Sequence, residues 1–128
     1  MQLFWTTLCV GLGGGIGAML RYHITLAANR FLGLTFPFGT LIVNLLGGFA
    51  IGFLLALAQS AAWLDTDHRA FLITGLLGGL TTFSTFSAES ITLLTGAQPW
   101  LGILNIAANL CGALLAVIIG RSLCLHLF

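Results

Sequence analysis

The sequence predicts an all-α membrane protein with four transmembrane helices, because charge is scarce and the apolar runs are long. The chain has 128 residues, of which 59% are hydrophobic and 5% charged, and 17 glycines add to the apolar share. Soluble domains carry about 25% charged residues, and a small fold must still show much of its surface to water. Composition therefore excludes an ordinary soluble domain, a disordered chain and a nucleic-acid binder, and favours the lipid bilayer as the solvent.

Four stretches are long enough to cross a bilayer, which takes about 20 predominantly apolar residues. We predict spans over residues 3–26, 38–58, 70–94 and 101–123, within a single transmembrane domain that covers residues 1–128. The spans have helix length and lack the alternation of strands, and only helices or closed barrels satisfy the backbone in lipid. Trp5, Trp63 and Trp100 fall at span ends, as interfacial aromatic residues do.

Short polar or proline-containing segments separate the spans. Asn29 and Arg30, with residues 35–37, are expected to connect the first two spans. Residues 65–69 read as a polar loop before the third span. Pro99 is expected to begin the fourth helix, where its missing N–H group is tolerated. The N-terminus lacks a basic segment, so we expect the first span to be retained rather than cleaved as a signal peptide.

The four arginines bear on the orientation of the chain in the membrane. With four spans, Arg69 and Arg121 lie on the side of both termini, whereas Arg21 and Arg30 lie near the opposite side. A bias of such residues normally fixes orientation, and a split of two against two provides none. Either other features of the chain set its orientation, or, as we hypothesise, the chain has dual topology: it inserts both ways and pairs with itself as an antiparallel homodimer.

Small residues recur at helical spacing in every span. Such rows let helix backbones approach closely, and they serve either to pack the helices of one chain or to join two chains. The three cysteines have no metal-like spacing and are expected to act as small hydrophobic residues. The small-residue rows are Gly13–Gly17, Gly48–Gly52, Gly75–Gly79 and Gly112–Ala116–Gly120, and the cysteines are Cys9, Cys111 and Cys124.

Polar side chains form a stripe on each of two spans. Thr40 and Asn44 share one face of the second span, and Asn105 and Asn109 share one face of the fourth. Polar groups within a membrane are expensive and often functional. Each amide on its own fits a hydrogen bond between helices. Two aligned stripes favour a polar pathway.

The third span departs from an ordinary membrane helix. Residues 75–87 include three glycines and five serines or threonines, which weaken helix propensity and compete for backbone hydrogen bonds. We therefore predict that the third helix is broken near its middle, where exposed carbonyl oxygens are able to hold a hard cation such as sodium. Phe83 and Phe86 lie three residues apart. They either pack in the core or turn their positive ring edges toward an anion.

Arg21 and Glu89 are the two charges placed deepest in the spans. Arg21 is expected to extend its guanidinium to the membrane interface. For Glu89 three roles stay open: it faces a pore mouth, carries protons or pairs with Arg21.

Three segments together resemble the bacterial fluoride channel family, often called Fluc or CrcB. These segments are residues 14–22 (GGIGAMLRY), 37–44 (PFGTLIVN) and 78–89 (GGLTTFSTFSAE). The likeness runs through all four spans in order, and the third segment is the most specific. The resemblance implies a channel, not an enzyme, that exports fluoride passively across the bacterial cytoplasmic (inner) membrane and so relieves fluoride toxicity.

The resemblance also implies the assembly and the site residues. Family members are antiparallel, dual-topology homodimers with two pores and a structural Na⁺ at the centre of the dimer interface. By motif position, the sodium ligands here are the backbone carbonyls of Gly78 and Thr81. Arg21 and Glu89 take the places of the family's pore-mouth or structural charges. We expect dehydrated fluoride to meet amide, hydroxyl and aromatic-edge donors at Phe83, Phe86, Asn44, Thr40, Ser84, Thr85 and Asn109.

Two other functions fit the composition. One is a small, dual-topology, proton-coupled exporter of organic cations, with Glu89 as its membrane-embedded carboxylate. The other is an assembly subunit that transports nothing and uses its glycine rows only to hold helices together. In the fourth span, Ala113 stands where some family members carry serine, so this end of the polar track departs from the family pattern.

Overall fold

The computed structural model describes residues 1–59 and 64–128, so the predicted interfacial Trp63 lies outside the described residues. Within these ranges, four helices are long and apolar enough to cross a membrane. This confirms the prediction of an all-helical protein with four membrane-spanning helices. In chain order, the four spans are Gln2–Leu32, Phe38–Leu57, Thr66–Leu94 and Pro99–Leu127.

The first span is longer than predicted. Its helix continues to Leu32, so Asn29 and Arg30 are helical and the prediction that they separate the first two spans is wrong. The helix ends at Gly33, whose φ of 84° is a conformation that glycine adopts without strain. The Gly33 N–H donates to the carbonyl of Asn29 at 3.2 Å. This cap satisfies one of the last carbonyl groups of the helix.

The predicted polar loop at residues 65–69 is also mostly helical. The third span begins with the α-helical turn Thr66–Arg69, and Asp65 caps it by accepting the N–H groups of Asp67 and His68. The Asp67 carboxylate accepts hydrogen bonds from Thr6 Oγ1 at 2.7 Å and Gln2 Nε2 at 3.1 Å. These contacts tie the start of the third span to the N-terminus. The carboxylates therefore cap and anchor a helix where composition alone indicated a loop.

The third span then changes helix type along its length. Ala70–Leu77 forms a π-helix, Gly78–Leu80 one α-helical turn and Phe83–Leu94 an α-helix. The π-helix is rare in proteins and is often found near functional sites. The fourth span is one α-helix over Pro99–Leu127 with proline in its first turn, as predicted.

The glycine rows pack helices within the chain. A Cβ atom built on Gly17 of the first span would collide with the Leu76 carbonyl and lie 2.8 Å from the Leu80 nitrogen in the third. A Cβ built on Gly48 of the second span would lie 2.9 Å from the Ala113 carbonyl in the fourth. Contacts this short exclude any side chain, so the first span pairs with the third and the second with the fourth.

Little of the apolar surface is buried inside one chain. Val43, Leu77 and Leu80 form the central buried cluster, whereas large hydrophobic side chains are exposed on the outer faces, among them Trp5 and Trp100 near span ends. Exposed hydrophobic area on this scale fits a surface covered by lipid or by another protein chain. A single chain thus consists of two tight helix pairs whose outer faces remain largely apolar and exposed.

Candidate functional site

The backbone is extended at two residues near the middle of the third span. Thr81 has φ −80° and ψ 159°, and Thr82 has φ −153° and ψ 119°. The Thr82 hydroxyl accepts the Thr85 N–H at 3.2 Å and so caps the helix that restarts at Phe83. These residues lie in the glycine- and hydroxyl-rich segment for which the sequence predicts a break. An interruption at this depth frees backbone groups that must find other partners.

Asn44 supplies those partners from the second span. Its Oδ1 accepts the Thr82 N–H at 3.0 Å, and its Nδ2 donates to the Thr82 carbonyl at 3.3 Å. The same Nδ2 donates to Asn109 Oδ1 in the fourth span at 2.8 Å. One side chain therefore supplies the partner that the extended Thr82 N–H lacks, and it adds a second hydrogen bond to the Thr82 carbonyl, which as the N-cap group already accepts the first bond of the helix Phe83–Leu94.

Arg21 satisfies the neighbouring carbonyl from the first span. Its Nη1 donates to the Thr81 carbonyl at 3.1 Å, and the residue is half-buried. The guanidinium therefore lies at the centre of the third span, and the expectation that it extends to the membrane interface is wrong. The count of arginines at the two membrane ends changes as well. Arg30 lies at the end that holds the first connection, whereas Arg69 and Arg121 lie at the end that holds the termini.

Glu89 forms a hydrogen bond with Thr40 and no ion pair with Arg21, the partner that the sequence left open, among the described residues. Thr40 Oγ1 donates to Glu89 Oε1 at 2.8 Å, and within residues 1–59 and 64–128 no ion pair joins Glu89 to Arg21. The second oxygen, Oε2, is buried and has no hydrogen-bond partner among the described residues. Glu89 lines a cavity of about 350 Å³ beside Phe36 and Pro37, toward the end of the membrane that holds the first connection.

The asparagines of the fourth span hydrogen-bond to each other and to the third span. Asn109 Nδ2 donates to Asn105 Oδ1 at 2.9 Å, and Asn105 Nδ2 donates to Ser90 Oγ at 2.9 Å. Ser90 in turn donates to the Phe86 carbonyl at 2.7 Å. All three side chains are buried. The polar stripe thus forms hydrogen bonds between helices, one of the two roles considered from the sequence.

An open groove of about 430 Å³ brings most of the predicted site residues together. Phe83 on its rim is 73% exposed, whereas Phe86 is 6% exposed, and their ring centroids lie 5.4 Å apart. Ser84 and Thr85 are exposed in the same turn but do not line the groove, and Thr40 lies apart, with Glu89. The predicted site residues that do line it are Asn44, Gly78, Thr81, Phe83, Phe86 and Asn109.

The groove is uncharged and mostly apolar, with a few amide and hydroxyl groups in its lining. Amide, hydroxyl and backbone groups line it together with aromatic and aliphatic side chains, and no carboxylate, histidine or arginine is among the lining residues. The described parts of the chain contain no cluster of three His, Cys, Asp or Glu side chains able to hold a metal ion.

Ser90 is a site residue that sequence reasoning missed. It lies one helical turn after Phe86 and is 4% exposed. The available signal was spacing, because Ser90 continues the face of the third span that carries Phe86 at i, i+4. A hydroxyl on the buried face of a membrane helix needs a partner, and the nearest polar stripe was that of Asn105.

Four helices that are long and apolar enough to cross a membrane, with an uncharged groove between the second, third and fourth of them, define a small, multi-pass membrane protein. Residues 8–121 match the family described as CrcB-like protein, Camphor Resistance (CrcB), and the chain belongs to this family.

Curated relatives match over nearly the whole chain. A protein of Clostridium perfringens (strain 13 / Type A) is 48% identical over 128 residues, which is 100% of both chains. One of Clostridium novyi (strain NT) is 42% identical over 96% of each chain. A third, from Campylobacter fetus subsp. fetus, is 48% identical over 88% of each chain. All three are named "Fluoride-specific ion channel FluC".

Proposed function

We propose that this protein is a fluoride-selective channel, and not an enzyme, that lets fluoride leave the bacterial cell passively across the inner membrane. The observation that carries the proposal is the full-length match, at 48% identity, to a relative named as a fluoride-specific ion channel. The uncharged groove between the second, third and fourth spans, which offers amide and hydroxyl groups in a mostly apolar lining, agrees with it.

The chemistry of the groove suits a small, strongly hydrated anion. Conduction requires sites strong enough to replace water and weak enough to release the ion, so a fixed positive charge in the path would trap fluoride. Ring edges of Phe83 and Phe86 and the hydroxyls of Ser84 and Thr85 are modest donors. We assign these groups, with the amides of Asn44 and Asn109 and the hydroxyl of Thr40, to the fluoride path.

The amide groups of Asn44 and Asn109 would bind fluoride by exchanging a present hydrogen-bond acceptor for the ion. Asn44 Nδ2 already donates to the Thr82 carbonyl and to Asn109 Oδ1. A passing fluoride ion would compete with these oxygens for the same hydrogens. Each encounter would therefore be brief, as passage through several weak sites requires.

The proposal includes an antiparallel homodimer of dual topology. Phe83 is 73% exposed and the groove is open on one side of the chain, so a second copy would close it. The arginines at the two ends differ by one, Arg69 and Arg121 against Arg30. So small a bias gives the insertion machinery little reason to choose one orientation.

A structural Na⁺ between the two copies fits the groups at the groove. Gly78 lies in the last helical turn before the extended residues, where carbonyl oxygens lose their intrahelical partners, and it is exposed. The Thr81 carbonyl accepts one hydrogen bond from Arg21 and keeps its second lone pair. Carbonyl oxygens are suitable ligands for a hard cation. Two carbonyls from each copy would hold the ion and join the copies.

Fluoride efflux from liposomes tests the function directly. Purified protein is reconstituted into vesicles loaded with potassium fluoride, and a fluoride electrode follows release after valinomycin is added. We expect fast fluoride release and no comparable release from matched vesicles loaded with potassium chloride. Vesicles that retain their fluoride would refute the proposal and favour a subunit without transport activity. Replacing Na⁺ by N-methylglucamine during purification should lower efflux and dimer content, if Na⁺ joins the copies.

A further inference from the structure

Five hydrogen bonds form one continuous, one-way chain through three spans. The chain starts at the Thr82 N–H, which donates to Asn44 Oδ1 at 3.0 Å, and Asn44 donates to Asn109 at 2.8 Å. Asn109 donates to Asn105 at 2.9 Å. Asn105 donates to Ser90 at 2.9 Å, and Ser90 to the Phe86 carbonyl at 2.7 Å. Both ends of the chain are backbone groups of the third span.

The backbone ends determine the direction of every link. Asn44 must turn its oxygen toward the Thr82 N–H, so its nitrogen faces Asn109. At the other end, Ser90 gives its only hydrogen to the Phe86 carbonyl and so accepts from Asn105. Each amide between these ends has one orientation in which donors meet acceptors. Hydrogen bonds aligned in this way polarise one another and rigidify the network.

The position of the chain connects the extended residues to the buried aromatic ring. Phe86 lies four residues after Thr82, and its ring lies 5.4 Å from that of Phe83. The chain leaves the third span at Thr82, crosses the second and fourth spans, and returns at Phe86. Asn105 is 0% exposed and Ser90 4%, and neither is among the residues that line the groove.

We propose that Ser90 and Asn105 are positioning residues for fluoride passage, which through this chain hold the first turn of the helix Phe83–Leu94, with Thr82 and Phe86, against the second and fourth spans. The inference rests on the proposed function. Neither residue contacts the groove, and both act through Asn109, Asn44 and the Phe86 backbone. A loss at either residue should loosen the far side of the groove and alter how fluoride is distinguished from chloride.

The test uses Ser90→Ala, Asn105→Leu and the double variant in the liposome assay. Thr92→Ala is the matched control, because Thr92 makes the same type of bond to its own helix, Oγ1 to the Ala88 carbonyl at 2.9 Å, but lies outside the chain. We expect each single variant to lower fluoride efflux at least tenfold and to lower the ratio of fluoride to chloride efflux. The double variant should be no worse than either single one, because residues of one network do not add.

Ser90→Thr and the double variant distinguish the loss of the hydrogen bond from the loss of packing. Ser90→Thr keeps the hydroxyl and should retain most of the wild-type efflux. The double variant removes both partners and leaves no orphaned polar group at that link, which makes folding less costly than for a single loss. Size-exclusion profiles in detergent report the folded fraction of every variant, and efflux is normalised to it.

Several results would overturn the inference. Ser90→Ala and Asn105→Leu that match Thr92→Ala in rate and selectivity would overturn the inference. So would a folded Ser90→Thr variant that conducts as poorly as Ser90→Ala. A double variant that conducts like wild type would also overturn it. If wild-type protein itself passes no fluoride, the proposed function fails and the inference with it. A conducting wild type beside equally conducting variants refutes the inference alone.

Discussion

Asn44 forms hydrogen bonds with both the N–H and the carbonyl group of Thr82, which lies 38 residues later in the chain. An amide side chain is the one neutral group that offers a donor and an acceptor side by side. In this arrangement it provides hydrogen-bond partners where the backbone is extended at Thr82. The relationship changes how a substitution at Asn44 should be interpreted.

Asn44→Asp should lower fluoride efflux at least tenfold. An aspartate would keep an acceptor for the Thr82 N–H, but it would place an oxygen against the Thr82 carbonyl and Asn109 Oδ1. Liposome efflux measures the effect, and Asn44→Ala is the matched comparison because it removes the bonds without adding charge. If Asn44 acts by holding Thr82, both variants fail. An alanine variant with wild-type efflux would show that the added charge alone matters.

Phe83→Ile and Phe86→Ile should both reduce fluoride efflux strongly, because isoleucine lacks an aromatic edge. Their stabilities should differ. Phe83 is largely exposed and should tolerate the change, whereas Phe86 is buried and its substitution should destabilise the protein by about 1–3 kcal/mol. Efflux and detergent melting curves are the measurements. Phe31→Ile, at an exposed position near the end of the first span, is the control. Near-normal efflux from both pore variants would refute the role of the ring edges.

Gly17→Ala should lower stability by about 1–3 kcal/mol, since a methyl group there collides with the backbone of the third span. Gly15→Ala is an unusually close control, because a Cβ at Gly15 meets nothing within 4 Å. Alanine also has the higher helix propensity, so this variant should be as stable as wild type within one chain. Thermal melting in detergent compares the two. Equal melting temperatures would contradict the tight contact between the first and third spans.

Glu89→Gln should retain fluoride efflux within about threefold of wild type. The glutamine oxygen still accepts the bond from Thr40 Oγ1, so the local structure is kept while the titratable carboxyl is lost. The same protein is assayed for proton-driven uptake of a quaternary ammonium dye. Complete loss of transport by this change alone would favour the proton-coupled exporter of organic cations.

The stability of the helix cap that Asp65 forms at the start of the third span should depend on pH. The His68 backbone N–H and imidazole, with the Asp67 N–H, hold the pKa of Asp65 below its usual range. A lowered pKa in the folded protein means that the ionised cap stabilises the turn above about pH 3.9, the ordinary value for aspartate, and that this is lost as pH falls further.

Hydrogen exchange of the Asp67 and His68 amides measures this effect. Their protection should fall as the pH drops below about 4 in the wild type. Asp65→Asn keeps an acceptor for the cap but cannot titrate, so its protection should stay flat over the same range. Parallel profiles from the two proteins would contradict the assignment.

Composition and periodicity were sufficient for the four spans, because a bilayer imposes length and hydrophobicity on any helix that crosses it. They were also sufficient for the close approach of helices at the glycine rows. The set of residues that gather at the groove was predicted chiefly from the resemblance of three segments to a known family. Helix ends were less predictable. The polarity of Asn29 and Arg30 suggested a segment that connects two spans. The helix instead extends through both residues and ends at Gly33.

The partners of the polar groups needed the tertiary structure. The sequence by itself determined that Arg21, Asn44, Asn105 and Glu89 are polar groups at membrane depth, since their spacing along each helix is fixed by the helical repeat. Which group meets which depends on how far each helix is rotated and shifted against its neighbours. Those offsets are set by backbone contact at glycines such as Gly17 and Gly48. Only packing therefore decided that Arg21 reaches Thr81, that Asn44 holds Thr82 and that Ser90 completes the chain to Phe86.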